Sequence, residues 1–346
     1  MHSPKHVRAC VWLVVATAFW GVSFPFIRST WLLQSRLAPD ISSFFFAAAL
    51  AVVRFSAAGI LIAFISARTL RRLTRLEIHQ GAGLGLFGGL GILFQMDGLA
   101  HTSASTSAFL TQFSCLLIPL WVALHKRAAP RPAVIIGSVL VLAGVAILAQ
   151  FDWRQFKMGR GEAETLLSAV FFAGQILWLE RPRYAPNRVS HFTIVMFGTI
   201  ALLIAPIAGC TAPSPHAAIA AYASFAVLAL VAGIVFICTL GAYLMMNVWQ
   251  PHVTATEAGL IYCVEPICAS LFAAFLPGWI SKYAHVDYAN EGMTRSLFVG
   301  GTLITLANVL IQLDAMRQRR ALQHTNAAHA AGPAHRHHCA DDQESR

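Results

Sequence analysis

Apolar residues run along this chain in long unbroken stretches and do not alternate with polar ones. The stretches fall at 10–27, 44–66, 79–100, 104–124, 133–150, 162–179, 190–209, 221–248, 254–276 and 295–314. A helix rising about 1.5 Å per residue needs roughly 18 such residues to cross about 30 Å of hydrocarbon. Strands of a membrane barrel would alternate apolar and polar positions over about ten residues, a pattern these runs lack. Backbone groups in lipid must pair within their own segment, which leaves helices. The pattern therefore predicts an all-α integral membrane protein with ten transmembrane helices.

Composition agrees, with 57% apolar residues, 12% charged residues and a mean hydropathy of +0.63. The net charge of +10 would suit nucleic acid, but its distribution points elsewhere. One set of alternate segments holds Lys5 and Arg8, then Arg68, Arg71, Arg72 and Arg75, then Lys126, Arg127 and Arg131, then Arg181, Arg183 and Arg188, and the arginines of the tail. The other set holds fewer: Arg28, Arg36, Arg154, Lys157, Arg160, Lys282 and Arg295. The positive-inside rule places both termini in the cytoplasm, as an even number of crossings requires. Lipid is thus the expected partner, and nucleic acid is not. The basic leader 1–9 precedes a run ending Trp20-Gly21-Val22-Ser23-Phe24-Pro25, which has no small-residue cleavage site, so the first span is read as retained. The cysteines sit mostly in apolar runs and read as packing residues, not as a disulfide framework.

The chain also resembles itself. Thr106, Ala108 and Leu110 recur as Thr256, Ala258 and Leu260, and Gly137-Ser138 with Ala143 recur as Gly301-Thr302 with Ala307. The second offset is longer because of an added loop at 277–294. This reading gives a leader 1–9, a five-helix repeat 10–150, a second repeat 162–314 and a disordered His- and Ala-rich tail 315–346. An odd number of spans per repeat inverts one relative to the other, an arrangement that in transporters puts the binding site at the midplane.

Ionisable residues inside such spans are costly and rarely idle. Glu265 lies about 16 Å into the ninth span and Arg54 about 15 Å into the second, so both fall near the midplane. They are expected to face one cavity, either as an ion pair or as separate binding groups. Pro266 has no N–H for the carbonyl of Tyr262 and should open the helix beside Glu265 and the Tyr262 hydroxyl. Pro119 should do the same to the carbonyl of Cys115 in the fourth span. Glu257 stands in the first turn of the ninth span, where an acid can cap the helix or meet substrate. Asp97 and Gln95 lie near the outer end of the third span, as for an exit or gate. Trp20, Gln112, Asn247 and Gln250 add polar or aromatic groups that suit either ligand contact or helix contact. Gly81, Gly85 and Gly89 form a small-residue stripe for close helix packing. The tail carries His324, His329, His335, His337, His338 and Cys339, a tract without the fixed spacing of a metal site. We find no catalytic residue set, no metal site and no cofactor signature, and expect no enzyme.

Gln95-Met96-Asp97-Gly98-Leu99, the run T-S-A-S-T-S-A-F-L-T-Q-F from Thr102 to Phe113, and A-T-E-A-G-L-I-Y-C-V-E-P from Ala255 to Pro266 resemble helices 3, 4 and 9 of the EamA-type transporters of the drug/metabolite transporter superfamily. Trp20-Gly21, Ser23-Phe24 and Arg54-Phe55 are also similar to that pattern. Helices 4 and 9 of members often end in Gly-Glu, where this chain has His125-Lys126-Arg127 and Pro277-Gly278-Trp279. The resemblance implies a carrier of the cell inner membrane that moves a small organic metabolite, such as an amino acid or drug-like compound, by alternating access. Protons are one candidate coupling ion, with Glu265 the first candidate to titrate, and a homodimer is left open. A channel or a non-transporting scaffold is the alternative.

Overall fold

The computed structural model describes residues 4–330 apart from 103, 128, 152–153, 155–157 and 293, and the regular structure among them is entirely helical. In chain order the α-helices are α1 (Pro4–Leu37), α2 (Ser43–Ile65), α3 (Ala67–Leu70), α4 (Arg75–His101), α5 (Ala104–Thr111), α6 (Ser114–Lys126), α7 (Pro132–Leu148), α8 (Arg160–Leu179), α9 (Val189–Thr211), α10 (Pro215–Ala220), α11 (Phe225–Gly233), α12 (Ala242–Trp249), α13 (Ala255–Tyr262), α14 (Glu265–Ala273), α15 (Leu276–Ala284) and α16 (Arg295–Ala330). Six helical segments are long and apolar enough to cross a membrane: Lys5–Leu37, Ser43–Ile65, Arg160–Leu179, Val189–Thr211, Phe225–His252 and Ala255–Ala273. Many large apolar side chains on these helices face outward, among them Ile60, Phe64, Leu202, Leu228 and Phe236. Such surface is stable only against lipid or another protein, and the chain is a multi-pass, all-helical membrane protein.

Three apolar stretches are interrupted. The stretch at 254–276 breaks between Tyr262 and Glu265, one residue ahead of Pro266, with Cys263 and Val264 in tight turns whose N–H groups reach back three residues. The stretch at 104–124 breaks between Thr111 and Ser114, at Gln112-Phe113, not at Pro119. Pro119 lies inside α6, and the carbonyl of Cys115 that it frees accepts the Ser138 hydroxyl at 3.4 Å, so the helix passes through. In the stretch at 221–248 the segment Ile234–Gly241, between α11 and α12, is wound as a π-helix. There the Thr239 hydroxyl donates to the carbonyl of Ile234 at 3.0 Å. Within the stretch at 277–294, α15 buries Pro277 and Ile280, exposes Trp279 and Tyr283, and is tied down by Asn290 Oδ1 accepting from the Gly278 N–H at 2.6 Å. Helix α16 runs on to Ala330 through Ala-, Gln- and Arg-rich sequence of good helix propensity. His335, His337, His338 and Cys339 lie outside the described residues.

Helix α4 packs between α8 and α9, α9 also packs on α2, and α7 packs along α16. Helix α1 lies against α12, α13, α14 and the π-helical segment, while α5 and α6 lie against α8. The glycines of α4 explain its central place. A Cβ at Gly85 would come within 2.7 Å of the Met196 carbonyl, and one at Gly89 within 2.8 Å of Leu203, both on α9. On the neighbouring face, Gly88 meets Gln175 and Gly91 meets Phe172, both on α8. In the same way Gly144 would meet the Gly300 carbonyl at 2.7 Å, which fixes the α7–α16 crossing.

Polar groups gather at the two ends of the bundle. At the end that carries the chain start, His6 meets Glu257 at 3.3 Å, Arg131 pairs with Asp314 at 2.6 Å, and Arg188 pairs with Glu77. At the other end Arg36 donates to the His285 carbonyl, Arg160 pairs with Asp97 and Glu164, and Gln150 donates to Ser296. Glu77 closes the capping box of α4 with Thr74 and also holds His191 at 3.2 Å. Burial alone would raise its carboxyl, but the Arg188 guanidinium, the Thr74 and Arg188 amides and His191 together hold it well below the usual carboxylate range.

Candidate functional site

Halfway along α2, the alternation of helix faces turns Phe55 fully inward and leaves Arg54 beside it, the guanidinium carbon 4.7 Å from the Phe55 ring centroid. Phe55 packs 5.5 Å from Phe197 of α9 and 5.7 Å from Tyr243 of α12. Tyr243 stands edge-on to Trp20 of α1 at 5.5 Å, and Trp20 stands edge-on to Tyr262 of α13 at 5.3 Å. Five aromatic rings from five elements thus form one continuous path across the middle of the bundle. Pairs of this geometry add about 0.5–1.5 kcal/mol each beyond their buried area.

Tyr243 is the hub. Its hydroxyl interacts with the Arg54 side chain, and the charges of both Arg54 and Glu265 act on it. Of the two arrangements expected for Arg54 and Glu265, a direct ion pair is not formed among the described residues. The π-helical segment sets the arrangement. Its wider turn rotates the remainder of the helix, and Cys238 within it and Tyr243 after it both come under the charge of Arg54. Glu265 begins α14 directly after the helix break and also acts on Cys263 and Cys268. Gly21 lets α1 approach α14 here, since a Cβ on it would lie 2.7 Å from that of Cys268. Sequence reasoning missed Tyr243. The available signal was a phenol in an apolar run, which carries a polar tip that must find a partner.

Two donors at this site have no hydrogen-bond partner among the described protein groups: Nε1 of Trp20 and Nε of Arg54, both buried. Leaving a buried donor unmet costs about 1–3 kcal/mol, and more where the group is charged.

Other polar groups singled out in the sequence find partners within the bundle. The Tyr262 hydroxyl donates to Oε1 of Gln250 at 2.8 Å, and Gln250 donates to the Ile176 carbonyl at 2.9 Å, so this pair joins α13 to α8. Asn247 donates to Thr193 at 2.9 Å and is buried between α12 and α9. Glu257 caps α13, accepting from the Thr254 N–H at 2.7 Å. Gln95 donates to Thr111 at 3.2 Å, and Gln112 is buried at the α5–α6 break. Asp97, His101 and Glu164 approach one another closely enough to hold a metal ion, but Arg160 lies against both carboxylates and supplies the positive charge. The central site offers donors, ring faces and one carboxylate, which is chemistry for holding a molecule without forming bonds to it.

Residues 7–150 match the model of the EamA-like transporter family. Over 314 residues the chain is 24% identical to an uncharacterized transporter of Archaeoglobus fulgidus, covering 89% of this chain and 87% of that one. A protein of known crystal structure shares its fold with a TM-score of 0.64 at 18% identity, over 90% of this chain and 99% of the other.

Proposed function

We propose that this chain, an EamA-type member of the drug/metabolite transporter superfamily, is a secondary carrier of a small organic metabolite working by alternating access. The observation that carries the reading is the make-up of the central site. Trp20 and Arg54 come from the first half of the chain, and Tyr243, Tyr262 and Glu265 from the second, so a ligand between them touches both halves. Carriers built of two repeats bind at such an interface and rock one repeat against the other.

The helix contacts support ten spans in two inverted five-span repeats, 10–150 and 162–314. Counting α1, α2, α4, α5–α6, α7, α8, α9, α11–α12, α13–α14 and α16 as spans, the contact of α4 with α8 has its counterpart in that of α11–α12 with α1. The contact of α1 with α13–α14 has its counterpart in that of α8 with α5–α6. The distribution of Lys and Arg supports termini in the cytoplasm, and the family resemblance supports the inner membrane. Glu265 is the candidate for proton coupling.

Counterflow in proteoliposomes tests the reading: a panel of amino acids and small metabolites is loaded and entry of each labelled species followed. Saturable entry that falls in Glu265→Gln supports a carrier with a midplane site. Entry that does not saturate favours a channel. Full transport in Glu265→Gln with an unchanged pH profile removes Glu265 from coupling.

A further inference from the structure

The two unmet donors share a direction of chemistry. Nε1 of Trp20 and Nε of Arg54 both belong to groups beside Tyr243, one through an edge-on ring contact and the other through the tyrosine hydroxyl and the shared Phe55 ring. A cationic ligand group that only donates satisfies neither, and a neutral acceptor meets them without balancing the charge of Arg54. A carboxylate accepts from both, and a guanidinium is shaped for carboxylate oxygens. The rings of Phe55, Phe197 and Tyr243 pack on one another beside them and make the surroundings apolar, which suits a carboxylate carried on an apolar body. The protein's own carboxylate, Glu265, does not fill this place, since it forms no ion pair with Arg54 among the described residues.

We infer that the central site selects ligands by a carboxylate, which docks on Arg54 and the indole N–H of Trp20, with Tyr243 as the positioning residue that holds the guanidinium. The inference rests on the carrier reading for its biological sense, but binding alone can test it.

The probes are phenylpropionate, its amide and phenethylamine, which share one apolar body and differ in the head group. Binding to the purified protein in detergent is read as a shift in Tm against probe concentration, and transport as counterflow in proteoliposomes. We expect phenylpropionate to half-saturate at concentrations at least tenfold below its amide. Arg54→Gln should bring that ratio close to one, Arg54→Lys should keep part of it, and Trp20→Phe should lower it about threefold. Tyr243→Phe should reduce the ratio by weakening phenylpropionate more than its amide, whereas a merely structural role would weaken both alike. Equal binding of the three probes, no binding of any, or a ratio that survives Arg54→Gln overturns the inference. Counterflow without carboxylate preference sinks the inference and leaves the carrier. Carboxylate-selective binding without counterflow does the reverse.

Discussion

Arg188 grips Glu77 with both arms, Nε to Oε1 at 2.8 Å and Nη2 to Oε2 at 3.0 Å, across 111 positions of sequence. The pair ties the start of α9 to the first turn of α4, and His191 and the Thr74 N–H complete the set around the carboxylate. Its pH dependence has a definite sign. The Glu77 carboxyl is held below its ordinary value of 4.5 in the fold, so the stabilisation is present above pH 4.5 and is lost as pH falls below it. Detergent-purified protein should therefore lose Tm on acidification below about pH 4.5. In Glu77→Gln that loss should shrink, and Tm at pH 7 should be lower by on the order of 5 °C. Equal acid sensitivity in both proteins would show that the pair does not matter to the fold.

The glycines of α4 and α7 predict a steep contrast between substitutions. Gly85→Leu and Gly144→Leu place side chains where the carbonyls of Met196 and Gly300 already lie, 2.7 Å from a Cβ. Overpacking of this kind costs about 1–3 kcal/mol, occasionally more. Gly198 and Gly209 have nothing within 4 Å of a built Cβ, and Gly198→Ala and Gly209→Ala should melt with the parent protein. Thermal unfolding followed by size-exclusion chromatography reads the difference directly.

The helical membrane class was legible because long apolar runs admit little else, and Arg54 and Glu265 stood out because charge in such a run is rare. What sequence could not give was register. Pro119 was the natural place to break the fourth span, yet Ser138 satisfies the freed carbonyl and the interruption falls at Gln112-Phe113. The π-helical turn at Ile234–Gly241 leaves no mark in the apolar pattern, and without it the position of Tyr243 against Arg54 cannot be worked out. Gln250 and Asn247 looked equally suited to ligand or helix, and only the positions of Ile176 and Thr193 show which groups they bond.

Gln250 bridges two helices and is buried, so its removal should be felt as lost stability before lost recognition. Gln250→Leu strands the Tyr262 hydroxyl and the Ile176 carbonyl, each at about 1–3 kcal/mol. Tyr262→Phe removes a single donor and should cost less, about 1 kcal/mol. The pair is best measured as a double-mutant cycle: the double variant should be less destabilised than the sum of the singles, because the two share one bond. Strict additivity would mean that the two side chains act independently.

The contact between His6 and Glu257 offers a test of the alternating access proposed for this chain. Helix α1 brings His6, 6% exposed, against Glu257, 1% exposed, in the capping box of α13. Just inside it, Ala9, Leu13, Ile118, Ile176, Val253, Ala258 and Ile261 form an apolar cluster that seals this end below Tyr262. If this end must part for the site to reach the cytoplasm, a weaker contact should raise the time it spends open. A variant keeping Cys268 as its single cysteine reports this through labelling by a membrane-impermeant maleimide in inside-out vesicles. His6→Ala and Glu257→Gln should each label several-fold faster than the parent, because closure loses one buried polar bond worth on the order of 1 kcal/mol. Glu257→Gln should show the smaller effect of the two, since the amide can still accept from Thr254 and preserve the cap. Labelling rates unchanged in both variants would mean that this contact holds α1 in place without gating the path, and the apolar cluster alone would then be the barrier.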